Sequence, residues 1–197
     1  LVTQLCLAQD KHNRANEFME QKNYRQALPL LSDLISENPS FLPYRYSRAV
    51  ARFYLKEYPL AISDLKDLLA EAPENEEYLF LAADSYEHLD SLAVATQYYS
   101  QLIGLNPDFF QYYFKRGTCR LQQKLFAPAI ADFNRSIELN PEHHNSYHNR
   151  GLCYYRLQMK QKACEDWCQA QLKGNTVSGT HLEKNCERYP EPCLLKK

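Results

Sequence analysis

The chain has 197 residues, with 23 Lys and Arg against 24 Asp and Glu and a net charge of −1. That balance offers no electrostatic case for a nucleic-acid partner, and no basic stripe runs along any segment. No apolar run approaches the ~18–20 residues that a membrane span requires.

Residues 1–8, Leu-Val-Thr-Gln-Leu-Cys-Leu-Ala, precede the polar Gln9-Asp10-Lys11. Small residues at Cys6 and Ala8 stand where a signal peptidase reads, so the stretch is expected to be the remnant of a secretory signal. A lipoprotein role for Cys6 is disfavoured by the bulky Leu5 before it. The other reading is that these residues simply open the first helix.

From Gln9 onward the chain repeats itself. Alanine recurs at one constant interval, at Ala27, Ala61, Ala95, Ala129 and Ala163. Proline follows the same interval at Pro39, Pro73, Pro107 and Pro141, and a third set is always small: Ala15, Ala49, Ala83, Gly117 and Gly151. One period shared by three sets means one supersecondary element repeated five times. Phe110–Pro141 shows its content. Tyr113, Gly117 and Leu121 keep helical spacing, as do Ala129, Phe133 and Ile137, with polar Gln122-Gln123-Lys124 between them and Asn140-Pro141 as the stop. The expected repeats span about 9–41, 42–75, 76–109, 110–143 and 144–175. The small positions mark where paired helices approach most closely. The bulky residues four after each comb alanine (Leu31, Leu65, Tyr99, Phe133, Trp167) are expected to fill the space between repeats. Residues 176–197 are expected to form a capping helix and tail, since an array needs its open end covered; Glu191–Lys197 has nothing evident to hold it down.

The period also supplies an internal alignment. Arg14, Arg48, Arg116 and Arg150 precede the small residue of the first helix, with Ala82 in the third repeat. Asp64, Asp132 and Asp166 lie three after the comb alanine, with Leu30 and Tyr98 in the first and third. Arg and Asp occur together in three repeats and vanish together in one, which predicts a structural ion pair rather than a ligand site. Among the cysteines, Cys119 and Cys153 hold equivalent first-helix positions and read as inert core thiols. Cys164 faces inward, and Cys186 lies in the segment expected to fold back over it, so Cys164–Cys186 is the leading disulfide candidate. Cys168–Cys193 is a second, and spacing alone does not decide the connectivity.

The small residues Gly117 and Gly151, the alanines Ala129 and Ala163, the aromatics Phe133 and Trp167 and the closing Pro141 resemble the tetratricopeptide repeat, over about Gln9 to Asn175. The resemblance implies an all-α, right-handed superhelical solenoid of five helix–turn–helix repeats with a C-terminal capping helix. Lys11 and Arg45 stand where that family usually has a bulky anchor, which implies looser packing in the first two repeats. Asn175 replaces the closing proline where the array ends. The stretch Ala163-Cys164-Glu165-Asp166-Trp167, followed by Gly174-Asn175 and Cys186, is similar to the tails of bacterial extracytoplasmic members. With the signal remnant, that similarity implies a protein of the periplasm or the cell exterior.

In the resembling fold, first helices line a concave surface where peptide segments dock. Three residues before each small position stand His12, Tyr46, Phe80, Phe114 and His148, all rings; two turns on come Met19, Phe53, Glu87, Leu121 and Tyr155. Tyr46, Phe53, Phe80, Phe114 and Tyr155, flanked by His12 and His148, are the candidate partner-binding residues, because buried aromatics dominate interface energetics. The competing reading has the rings packing on one another. The family's carboxylate clamp is not matched: Asn16 fits one position, but His12, Ser47 and Glu77 stand where Lys, Asn and Lys are needed. No catalytic constellation is present, and no phosphate-binding glycine loop. His144 and His148 are one turn apart beside His143, and although Glu142 is near, no thiolate or carboxylate at helical spacing completes a metal site. The expectation is a non-enzymatic module without cofactor or small-molecule substrate that binds a protein or peptide. The alternative is an assembly subunit forming a permanent oligomer through its ends or convex face.

Overall fold

The computed structural model describes residues 2–186, with side chains from residue 9 onward. Among the described residues every regular element is an α-helix. Contacts divide the chain into two compact halves, Leu1–Tyr98 and Tyr99–Lys197. The first holds α1 (Val2–Glu20), α2 (Tyr24–Glu37), α3 (Leu42–Tyr54), α4 (Tyr58–Glu71) and α5 (Glu76–His88), and it ends within α6 (Leu92–Leu105). The second holds α7 (Phe110–Gln122), α8 (Phe126–Leu139), α9 (His144–Arg156), α10 (Lys160–Leu172) and α11 (Thr176–Asn185). Helix α1 takes in residues 2–8, upstream of the point where the repeating pattern starts. Cys6 and the tail Glu191–Lys197, with Cys193, lie outside the described side chains.

Two local devices cut the chain into hairpins. The first is a left-handed residue in each tight turn: Lys22, Lys56, Asp90, Lys124 and Gln158 all have φ between 57° and 63°. They recur with the same period as the alanine comb. Each lets the next amide reach back five residues, as in Asn23 N to Phe18 O (2.7 Å) and Leu125 N to Arg120 O (2.8 Å), which closes the first helix in a Schellman arrangement. The second device is the proline comb. A proline forbids helical geometry to the residue before it, and Asn38, Ala72 and Asn140 accordingly sit at ψ 80°, 76° and 89°.

Within each hairpin the small comb is fully buried. Ala15, Ala27, Ala49, Ala61, Ala129 and Ala163 have no exposed surface. In four of the five repeats a larger side chain on the second helix goes with a smaller residue on the first, whereas the third has Ala83 in register with Tyr99. Where the second helix offers Leu31 or Leu65, the first helix carries Ala15 or Ala49. Where it offers Phe133 or Trp167, the first helix carries glycine. A Cβ on Gly117 would lie 2.9 Å from the Phe133 ring, and one on Gly151 would lie 2.7 Å from Trp167 Nε1. Looser packing in the early repeats is not found: Ala15, Ala27, Leu31 and Leu34 form a closed cluster, as do Ala49, Leu65 and Leu68 with Tyr78. Lys11 and Arg45 compensate by pairing outward, with Glu37 and with Asp67 (3.7 Å).

The predicted Arg–Asp pairs form with bidentate geometry. Arg48 reaches Asp64 at 2.6 and 3.0 Å, Arg116 reaches Asp132 at 2.7 and 3.1 Å, and Arg150 reaches Asp166 at 2.6 and 2.8 Å. Each guanidinium also donates backward to the preceding repeat: Arg48 to Ser32 (3.3 Å), Arg116 to Ser100 (3.0 Å), Arg150 to Asn134 (2.7 Å). One arginine thereby ties three helices. A second arginine one turn on completes two of the sites, Arg52 on Asp64 and Arg120 on Asp132, both at 2.7 Å. In the last repeat that place belongs to Tyr154, whose ring lies 5.9 Å from the Arg150 guanidinium. Burial opposes the Arg150 cation, but Asp166 outweighs it and raises its pKa. Asp166 itself, with a single arginine, is raised from its ordinary value by burial, which Arg150 opposes. In the third repeat the whole set is exchanged: Ala82 replaces the first arginine, and Tyr86 stacks on Tyr98 (5.6 Å, 16°) in place of the second arginine and the aspartate. Lys66, at the position of Ser32 and Ser100, turns to solvent.

The cap is fastened three ways. Asn175 is the N-cap of α11, accepting from Ser178 N (3.0 Å) and Ser178 Oγ (3.1 Å) while donating to Asn145 (3.0 Å). Leu182 is buried with Ala163 and Trp167. The expected Cys164–Cys186 disulfide is present, its cysteines 22 residues apart, and a loop of that size stabilises by about 3 kcal/mol on the chain-entropy account. Cys168 is disulfide-bonded as well. Cys119 and Cys153 are buried thiols, and burial pushes the Cys153 thiol up to about 12.

This packing makes two substitutions informative. Gly117→Ala lowers stability by about 1–2 kcal/mol despite better helix propensity, and in a Phe133→Leu background the same change is stabilising; urea unfolding of the four variants checks the sign reversal. Asp132→Asn, which strands two arginines, costs about 3–5 kcal/mol. The triple change Arg116→Ala, Arg120→Tyr and Asp132→Tyr, which copies the third repeat, recovers most of that loss in the same assay.

Candidate functional site

The first-helix ring column lies between core and solvent: His12, Tyr46, Phe80, Phe114 and His148 are all half-buried, whereas the comb residues three positions on are buried. In the N-terminal half His12 meets Tyr44 (5.5 Å) and Tyr46 meets Tyr78 (5.1 Å), so each ring leans on one from the following first helix. The Tyr46 hydroxyl is pushed up to about 12, by burial first and then by the charge of Glu77. Phe53 sits edge-on to Tyr54, Tyr58 and His88 at 5.5–5.6 Å.

In the C-terminal half Phe114 lies edge-on to His143 at 4.6 Å and Tyr155 packs 5.6 Å from Trp167. His148 is drawn into the cap. Its Nδ1 shares a 2.7 Å hydrogen bond with Ser178 Oγ, and its ring lies 5.3 Å from His181, which stacks on Trp167 at 4.8 Å. His143 bonds Ser146 Oγ at 2.8 Å. His143 and His144 stay stacked at 6.2 Å, while His148 turns to the cap. The described residues contain no group of three His, Cys, Asp or Glu that could hold a metal ion, and no helix among them is long and apolar enough to cross a membrane.

His12 and Tyr46 reach a ring of the following first helix, Tyr46 and Phe114 pack against the buried clusters, and every ring of the column stays half-buried. A feature that sequence reading missed lies beside this column in the C-terminal half: a pocket of about 620 Å³ lined by Leu121, Gln122, Lys124, Phe126, Leu152 and Arg156. Its walls come from three elements and a turn, so no single helical column exposes it.

Helical hairpins of one fixed length, closed by left-handed turns and prolines and packed through small combs, define an all-α tandem-repeat protein. The tetratricopeptide repeat family model matches residues 12–76, 46–108 and 80–144, and the chain belongs to that family. No curated protein sequence matches it. Among solved structures it is similar to MamA from Desulfovibrio magneticus RS-1, with a TM-score of 0.80 at 14% identity over 84% of this chain and 94% of that one. A double mutant of MamA RS-1 gives a TM-score of 0.81 at 14% identity over 87% and 97%. YrrB, a tetratricopeptide protein with an unusual peptide-binding site, gives 0.77 at 20% identity over 87% and 89%. Identities this low carry the fold alone.

The cap histidine yields a pH prediction. Burial, then His181 and His144, push His148 down to about 4, and burial also lowers His143 and His181. An unfolded chain with ordinary histidines binds more protons than the folded one between about pH 6.5 and 4, so stability is full above that window and falls as pH drops through it. The melting temperature decreases across the window. His148 contributes about 1–3 kcal/mol, after discounting for solvent screening of a half-buried ring. Fluorescence of the single Trp, Trp167, reports the cap loosening. His148→Gln removes part of that slope.

Proposed function

We propose that the protein is a non-enzymatic interaction module that binds a segment of a partner protein on its first-helix ring faces. The carrying observation is the uniform half-burial of a first-helix column made entirely of rings, three positions before a comb of fully buried small residues. Tetratricopeptide arrays present stacked helical surfaces to proteins and peptides, and the peptide-binding site of YrrB is a precedent within the same fold. Tyr46, Phe53 and Phe80, with His12, supply the face of the N-terminal half; Phe114 and Tyr155, with His148, supply that of the C-terminal half. Edge-to-face contact with these rings is worth about 0.5–1.5 kcal/mol each beyond area burial, enough for a handful to anchor a segment.

The reading extends to location. The Cys164–Cys186 disulfide, inside the core cluster under the cap, supports an oxidising compartment, periplasmic or extracellular, because such bonds persist there and are rare in the cytosol. Similarity of the last repeat and tail to extracytoplasmic members points the same way.

The test is partner recovery after crosslinking, comparing the wild type with Phe80→Ala plus Phe114→Ala at matched folding by circular dichroism. Recovery falls by about tenfold, equivalent to losing roughly 1.4 kcal/mol of binding. Equal recovery from both proteins would rule out the ring faces as the docking surface.

A further inference from the structure

The pocket at the junction of the fourth and fifth repeats carries a comparison internal to the chain. Its floor residue Phe126 corresponds, in the repeat register, to Tyr24 and Tyr58; its rim residue Arg156 corresponds to Tyr54 and His88. At the first two junctions these two positions stack, whereas the third has Leu92 and Gln122 there. Tyr24 lies flat on Tyr54 at 4.8 Å and 7°, and Tyr58 lies flat on His88 at 4.7 Å and 6°. A ring from the following first helix thus covers the ring that opens the second helix, and the junction is filled. At the Phe126 junction the covering ring is replaced by arginine. Phe126 packs one side against the cluster of Ala129, Phe133 and Cys153, and its other side borders the open pocket with apolar Leu121 and Leu152.

The rim is cationic. Lys124 and Arg156 are both exposed, and among the described residues neither pairs with a carboxylate, whereas Arg116, Arg120 and Arg150 are held by aspartates. The sequence of this half is also the positive one: residues 99–197 carry fourteen Lys and Arg against nine Asp and Glu, and residues 1–98 carry nine against fifteen. An apolar slot that takes a flat ring, ringed by two uncommitted cations on a positive half, is complementary to one kind of ligand.

We infer that this pocket binds an acidic peptide segment of a partner through one aromatic side chain, which stacks on Phe126 in the place that Tyr54 and His88 take at their own junctions, while carboxylates flanking that side chain meet Lys124 and Arg156. The inference rests on the interaction-module reading but uses none of its ring column. Gln122 at the rim supplies an amide for the segment's backbone. Aromatic contact and the apolar walls select the ring, and the two cations select the flanking charge and speed the encounter.

The experiment measures fluorescence anisotropy with dye-labelled peptides built on one Gly/Ser frame around Asp-Phe-Glu, Asn-Phe-Gln or Asp-Ala-Glu. Wild type binds the Asp-Phe-Glu peptide at least about tenfold more tightly than either control, and the advantage over Asn-Phe-Gln shrinks between about 50 and about 300 mM salt. Arg156→Tyr rebuilds the stack seen at the first junction, so it folds with an unchanged melting temperature and loses the binding. Lys124→Gln is the second variant, because glutamine already occupies the same left-handed turn position at Gln158; it keeps ring binding and reduces the preference for flanking acid. Equal affinity of wild type for all three peptides overturns the inference, as does full binding by folded Arg156→Tyr. Such a failure leaves intact a loss of partner recovery with Phe80→Ala plus Phe114→Ala, while undiminished recovery there, with Asp-Phe-Glu binding retained, overturns the ring-face reading alone.

Discussion

Close approach of the two helices in each hairpin is the constraint from which the other features descend. Helices that meet through alanine or glycine leave room for one large side chain from the second helix, and in four of the five repeats a larger side chain there goes with a smaller residue on the first, the third having Ala83 in register with Tyr99. Leu31 and Leu65 coexist with alanine, whereas Phe133 and Trp167 require the Cβ-free Gly117 and Gly151. Dense packing makes the two positions a single unit of choice. Glycine in a helix interior costs about 1 kcal/mol of propensity, and burial of the larger ring offsets it.

The same coupling governs the polar network. Asp64 and Asp132 are nearly fully buried and each holds two guanidinium groups, and a buried charge deprived of its partners destabilises far more than an apolar replacement of the whole set. The third repeat shows that exchange: Ala82, Tyr86, Tyr98 and the solvent-facing Lys66 change together. Arg14, opposite Leu30, is the exception, and it is tolerated because it lies exposed at the start of the array.

The proposed docking surfaces lie where this packing is incomplete. The rings of the column stay half-buried, with Tyr46 and Phe114 packed against the edges of the buried clusters. The Phe126 pocket is open because an arginine stands where a ring closes the equivalent junction twice over. Cap chemistry is a separate layer: Asn175, Ser178, His148 and the Cys164–Cys186 bond hold α11 over Trp167, so the end of the array is fastened by polar and covalent contacts.

The hairpin lattice, its period, the Arg–Asp pairing and the leading disulfide candidate are all legible in the sequence, because each is a choice repeated at a fixed interval or paired across the repeat, and repetition separates pattern from accident. The ring column is legible for the same reason. The left-handed turn residues share the period, yet lysine, aspartate and glutamine there do not advertise positive φ as glycine would. The second arginines, the Tyr86–Tyr98 exchange and the double role of Asn175 emerge only from distances. Which face of each ring is consumed, and where a junction stays open, is settled in three dimensions alone. Those outcomes depend on how side chains from three or four elements fill a shared volume, and no single periodicity encodes that volume.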